Sequence, residues 1–142
     1  MTEALLRVDS LTIGFGARDT VDDVSFELAR GRCLGVIGES GAGKTQIFLG
    51  LMGLLPRDAR ISGRARLGST ELLGPGAAAV RGRRVAMIFQ DPMTALTPHL
   101  SIGDQVAEPL VAHRGQSWHA ARAAAVRLLE QVRIPEAARR AR

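Results

Sequence analysis

Cys33-Leu34-Gly35-Val36-Ile37-Gly38-Glu39-Ser40-Gly41-Ala42-Gly43-Lys44-Thr45 is the stretch on which the fold turns. Its first five residues are short-chained or apolar and lead straight into a glycine-rich run, the signature of a strand buried on both faces of an α/β sheet. The next eight match glycine, four residues, then Gly-Lys-Ser/Thr. Such a loop must curl through unusual backbone dihedrals and turn its N–H groups toward an anion without Cβ obstruction, which is why glycine stands at 38, 41 and 43. A helix beginning at its end adds partial positive charge. Lys44 is then placed to reach the β- and γ-phosphates of a bound nucleotide, and the Thr45 hydroxyl to ligate Mg²⁺. Glu39, Ser40 and Ala42 complete the cradle, with Ser40 expected to hydrogen-bond within it because no triad partner is in view.

Lys44 carries a second signal. Of 19 basic residues 18 are Arg, so the one lysine falls inside the phosphate-binding pattern. A compact ammonium is wanted there, where a planar guanidinium would not serve.

Outward from the loop, Val24-Ser25-Phe26-Glu27-Leu28 alternates as a strand with one buried face, and residues 29–32 read as a turn. Residues 45–55 are apolar almost all round, predicting a buried helix weakened by Gly50 and Gly53 and stopped by Pro56. Residues 57–84 are rich in arginine and glycine, with a small strand expected over 62–67 and a loop at Gly74-Pro75-Gly76. Val85-Ala86-Met87-Ile88-Phe89 reads as a second buried strand delivering Gln90-Asp91-Pro92 to its end, and Pro92 and Pro98 bracket a loop. Ile102, Val106 and Leu110 fall at helical spacing, with Pro109 expected to kink or restart that helix. Trp118, Ala121, Ala125, Leu128 and Val132 share one helical face, which makes Trp118 a core or interface residue and leaves Arg122 off it. Pro135 opens a short terminal piece.

Composition sets outer bounds. A chain of 142 residues, 46% hydrophobic and 23% charged, is ordinary globular material, not a disordered or fibrous one. The net charge of +5 is unevenly spread: residues 85–113 hold no basic side chain and 3 acidic ones. Aromatics make up 4% and do not interleave with the arginines, so the stacking platform of a nucleic-acid binder is missing and no nucleic-acid partner is expected. The lone Cys33 excludes a disulfide framework or a cysteine zinc site and reads as a buried bystander in a reducing compartment. No apolar run or leader-like segment suggests a membrane span or secretion signal, so a soluble cytoplasmic location is expected. His99, His113 and His119 form no metal constellation and read as surface groups.

Gln90 is a weaker candidate taken alone. A carboxamide at the end of a buried strand can offer oxygen to a metal or orient a water, or can simply cap a turn. Asp91 competes as a metal-binding carboxylate.

Several of these segments together resemble one family, the ATP-binding subunits of ABC transporters, specifically those of oligopeptide and dipeptide importers. The likeness rests on Leu11-Thr12-Ile13-Gly14-Phe15-Gly16, Val24-Ser25-Phe26, the loop at residues 38–45, and Met87-Ile88-Phe89-Gln90-Asp91-Pro92-Met93-Thr94, in the family's order. It implies an α/β P-loop NTPase core of ABC type, with an N-terminal antiparallel β subdomain and the start of a helical subdomain, truncated. Residues 1–100 would hold the β subdomain, phosphate loop and Q-loop, and residues 101–142 the opening of the helical subdomain. The resemblance makes Gln90 the Q-loop glutamine on Mg²⁺ and the attacking water, alongside Lys44 in catalysis, and Phe15 the aromatic that stacks on adenine.

The family's signature sequence, its Mg²⁺-binding Asp with adjacent catalytic Glu, and its switch His do not occur among these residues, which look like roughly the first two-fifths of a member. The implied cofactors are ATP and Mg²⁺. The implied partners are permease membrane subunits, a second ATP-binding subunit in a homo- or heterodimer, and, indirectly, a periplasmic or extracellular solute-binding protein. The implied location is peripheral, on the cytoplasmic face of the bacterial inner membrane. Departures at Gln46, Ala95 and Thr97 keep other solutes, such as nickel, as an alternative. So does the reading of a non-hydrolysing nucleotide-binding fragment that needs a companion chain. Sheet faces without their later strands predict exposed apolar surface.

Overall fold

The computed structural model describes residues 4–91 and 95–142, in two compact units, Met1–Val85 and Ala86–Arg142. In the first, β1 (Ala4–Phe15), β2 (Arg18–Ala29), β3 (Ala59–Leu67) and β4 (Thr70–Glu71) form an antiparallel sheet in the order β2-β1-β3-β4, with α1 (Lys44–Leu51) and α2 (Pro75–Val80). The alternation at residues 24–28 is realised inside β2, where Val24, Phe26 and Leu28 are half-buried and Ser25 and Glu27 exposed. The strand expected at 62–67 is the larger part of β3.

The β1 strand does not keep strict period 2. Val8, Leu11 and Ile13 are all fully buried, a spacing of three and then two. A bulge makes this possible: Ser10 takes φ 49°, and the pairing with β3 shifts between Asp9 and Thr12. One extra residue turns the strand over, so apolar side chains on both sides of it enter the same core. Ile47 and Leu51 of α1 complete that core with Val21, Ala65 and Leu67.

Four expectations are corrected here. Residues 33–37 and 85–89 are not strands: neither run lies in the sheet, apart from an isolated bridge from Val85 to Arg81, and Ile37 and Ile88 are 95% and 98% exposed. An apolar run becomes a buried parallel strand only when neighbours on both sides complete its hydrogen bonds. Among the described residues none do. Cys33, carried on the first of these runs, is therefore exposed and not buried. Gly74-Pro75-Gly76 is not a loop throughout, since α2 starts at Pro75, whose fixed φ and missing N–H suit the first helical position.

In the second unit α3 (Ile102–Arg114) starts at Ser101, whose Oγ accepts the Asp104 N–H at 3.1 Å. It runs through Pro109 without ending or restarting. Ser117 caps α4 (Trp118–Gln131) in the same way through the Ala120 N–H at 3.3 Å, and α5 (Ala137–Arg140) follows. Ala107 of α3 and Ala121 and Ala125 of α4 are fully buried against one another, small side chains that bring the two helices close. The shared face on α4 is only partly covered. Trp118 is 45% exposed and carries the Arg122 guanidinium 5.5 Å from its ring centre, so it is not a core residue of this unit. Arg122, off the apolar face as expected, reaches α3 and pairs with Asp104.

Candidate functional site

The phosphate-loop residues sit together ahead of α1. Ala42 donates its N–H to the Glu39 carbonyl at 3.2 Å, making a tight turn, and Gly41 and Gly43 take φ 85° and 78°. Both therefore lie where a side chain is costly. Gly43 has a second reason: a Cβ there would stand 2.7 Å from the Thr20 carbonyl oxygen and 2.9 Å from Val21 Cγ2. Gly38 has neither, for its φ is ordinary and a Cβ would meet nothing closer than 3.8 Å. The expectation that all three glycines are sterically required holds at 41 and 43.

Gly43 is also the N-cap of α1, and it supplies no side-chain oxygen to the first turn, which contains no acidic residue. The opening N–H groups of a helix have no carbonyl within it to bond. Without a capping side chain or a nearby carboxylate they are available to an anion, and the dipole favours one. Lys44 bends back over the loop, its Nζ donating to the carbonyls of Gly38 at 2.8 Å and Glu39 at 2.6 Å. The ammonium is thus held against the main chain of the loop at Gly38 and Glu39. The residues present fit a polyphosphate.

Thr45 is exposed in the first turn of α1. Ser40 is exposed and, among the described residues, makes none of the hydrogen bonds expected of it within the loop, whose internal bonds come from Ala42 and Lys44. Gln46 buries its Oε1 without a hydrogen-bond partner among the described residues. Sequence reasoning saw it only as a departure from a pattern.

Phe15 is half-buried at the end of β1, packed against the sheet core, and faces Arg18 across the Gly16-Ala17 turn and Ala59 on β3. The contact of Gly43 with Thr20 and Val21 fixes where the loop meets the sheet, and Val21 is the cross-strand partner of Ile13. Phe15 is two residues beyond Ile13 on the same face, about 7 Å along the strand. The aromatic ring and the phosphate loop therefore lie on one side of one sheet end.

Gln90 belongs to the second unit, exposed in a bend near its start, beside the 54% exposed Phe89. Pro92, Met93 and Thr94, which carry the end of the Q-loop resemblance, lie outside the described residues. Farther along, Gln105 was missed by sequence reasoning. Its Oε1 accepts the Thr97 N–H at 2.7 Å, while its Nε2 donates to the carbonyls of Thr97 and Leu100, both at 3.0 Å. Residues 97 and 100, on either side of Pro98, are thereby tied to α3. No signal in the periodicity could have marked it, because a glutamine off the apolar face of a helix is ordinary.

Among the described residues the electrostatic perturbations fall on groups that belong to ion pairs. The hydrogen bond from Arg122 holds the Asp104 carboxyl below its ordinary range, with the Ser101 side chain assisting, and raises Arg122 in turn. Among the described residues no cluster of three or more His, Cys, Asp or Glu could hold a metal, and no helix is long and apolar enough to cross a membrane.

This geometry agrees with comparison to known proteins. The family profile described as ABC transporter matches residues 21–142, and the chain belongs to that family. Membership implies an ATP-binding domain of the P-loop NTPase type, and so nucleotide binding. Among curated relatives, the oligopeptide transport ATP-binding protein OppD of Salmonella typhimurium is 41% identical over 143 residues, covering 96% of this chain and 43% of its own length. OppD of Escherichia coli strain K12 is 40% identical, covering 97% and 43%. The dipeptide transport ATP-binding protein DppD of Haemophilus influenzae is 40% identical, covering 94% and 43%. The chain thus spans less than half the length of these relatives.

Proposed function

We propose that the chain is the nucleotide-binding part of the ATP-binding subunit of an ABC importer of the oligopeptide and dipeptide class. ATP binding and hydrolysis there drive uptake across the inner membrane. The observation that carries this reading is the loop at residues 38–45, where a glycine cap leaves the first-turn N–H groups of α1 without a capping side chain and Lys44 folds its ammonium back onto the loop carbonyls. Its relatives named for oligopeptide and dipeptide transport point to the solute class.

Within this reading residues 38–45 hold the β- and γ-phosphates, with Lys44 neutralising charge as it builds on the γ-phosphoryl oxygens. Phe15 offers its ring to adenine from the adjoining sheet end. The Thr45 hydroxyl and the Gln90 carboxamide would be the oxygen donors for Mg²⁺, which would supply positive charge against the phosphates. Residues 1–100 make up the β subdomain with phosphate loop and Q-loop, and residues 101–142 open the helical subdomain.

The partners are permease subunits in the membrane, a second ATP-binding subunit and, through the permease, a solute-binding protein. The location is peripheral at the cytoplasmic face. These 142 residues carry the cradle, the lysine and the Q-loop glutamine but no signature sequence or Asp-Glu pair, so alone they bind nucleotide weakly and turn it over negligibly.

The test is ATP-driven uptake of a labelled tripeptide into membrane vesicles containing the assembled transporter. Uptake is expected with the native subunit and lost with Lys44→Ala. Lysine-dependent uptake of nickel with no uptake of peptide would overturn the solute assignment, and full peptide uptake with Lys44→Ala would overturn the role of the loop.

A further inference from the structure

Five arginines lie on the strands of the first unit, and four have an acidic partner. Arg7 pairs with Asp9 and Glu27, Arg60 with Asp19, and Arg66 with Glu71, while Arg64 acts electrostatically on Glu71. Arg18 pairs with no carboxylate among the described residues. An exposed unpaired arginine is commonplace, but the position of this one is not. Arg18 is the direct cross-strand partner of Phe15, and such partners share a face of the sheet. A register shift between the Ile13–Val21 and Gly14–Asp19 pairs puts Val21 on that same face, and Gly43 of the phosphate loop packs against it.

The neighbouring acids do not claim it. Asp19 is opposite Gly14 and Arg60 in the register, one step along each strand from the row that holds Phe15, and it is tied to Arg60 at 3.2 Å. Asp22 follows the buried Val21 and is exposed. Aromatic, phosphate cradle and uncompensated cation therefore share one face, and Asp19, the carboxylate nearest in sequence, is engaged by Arg60.

We infer that Arg18 is a second cation of the nucleotide site and donates to phosphate oxygens of the nucleotide held by the loop. The assignment rests on the nucleotide-binding reading above. A guanidinium suits this role better than it suits the base. It is permanently charged, has five donors and no acceptor, and its fork matches two phosphate oxygens, whereas adenine presents donors as well as acceptors along its edge.

The test is competition against a fluorescent ATP analogue on the polypeptide as its gene encodes it, with ATP, ADP and adenosine as competitors, for the native protein, Arg18→Ala, Arg18→Lys, Arg60→Ala and Lys44→Ala. Circular dichroism checks that each variant is folded. Arg60→Ala removes the same charge from the neighbouring row, where it is already neutralised. Expected is a loss of about tenfold in ATP and ADP affinity for Arg18→Ala, the scale of one charge-assisted hydrogen bond. The loss shrinks as salt rises, Arg18→Lys recovers part of it, and adenosine binding and Arg60→Ala are unchanged.

An equal loss in Arg60→Ala, or an equal loss for adenosine, would overturn the phosphate contact. Unchanged ATP affinity in Arg18→Ala, with binding still lost in Lys44→Ala, would refute the assignment and leave the nucleotide site standing. No lysine-dependent nucleotide binding at all would remove both.

Discussion

Replacing Gly43 by alanine probes the point at which the phosphate loop is fastened to the sheet. Two costs are separable there. The backbone sits at φ 78°, where an L side chain costs about 1.5 kcal/mol. The added methyl would also stand 2.7 Å from the Thr20 carbonyl oxygen and 2.9 Å from Val21 Cγ2. One of these contacts is main chain and cannot swing away, so the overlap adds about 2 kcal/mol. Gly41 separates the two, because it has a similar φ of 85° and open space where its Cβ would be.

Hydrogen exchange of the slowest amides in β1, which is paired on both sides, reads the opening of this unit. With about 1.4 kcal/mol per factor of ten, Gly41→Ala should speed that exchange about tenfold. Gly43→Ala should speed it about 300-fold or abolish protection. Equal effects of the two substitutions would refute the packing of the loop against β2, and with it the placement of Phe15 beside the phosphate site.

Other expectations concern the helical unit. Because Arg122 lowers the folded-state pKa of Asp104, the pair contributes stability above the unfolded carboxylate pKa and loses it as pH falls through the lowered value. Helical circular dichroism should therefore decline at the acid end in the native chain, and Asp104→Asn should remove that component; identical pH profiles would contradict the clamp. Ala125→Leu puts a large side chain where α3 and α4 touch through alanines, and should destabilise the unit by about 1–3 kcal/mol in urea unfolding, whereas an unchanged midpoint would mean the contact is loose. Gln105→Ala should speed exchange of the Thr97 amide specifically, since Oε1 of Gln105 is its acceptor; an unaltered rate would show that the loop is held by something else.

What could be read from the sequence divides along physical lines. Local features were legible: the alternation over 24–28 became part of β2 and the apolar run after the glycine-rich loop became a helix, although α1 ends at Leu51, short of the stop expected at Pro56. The phosphate loop was legible because its glycines, lysine and following helix form one contiguous device. Partnered features were not. Residues 33–37 and 85–89 have the composition of buried strands, yet composition states a preference for burial and cannot provide the neighbour that satisfies the backbone. The bulge at Ser10, which sends both Val8 and Leu11 into one core, breaks the periodicity from which strands are read. The contact of Arg122 with the Trp118 ring, the triple anchorage of Gln105 and the pairing of Arg18 with Phe15 join residues close in sequence, but they are set by side-chain direction and hairpin register, which the apolar periodicity does not encode.

The central claim is that residues 38–45 form a nucleotide cradle organised around the chain's one lysine. Isothermal titration of ATP with Mg²⁺ into the native protein and into Lys44→Ala and Lys44→Arg tests it most directly. Saturable one-site binding to the native protein, weakened at least about tenfold in Lys44→Ala and not restored by the planar guanidinium of Lys44→Arg, is the predicted result. Equal ATP affinity in all three proteins would contradict it.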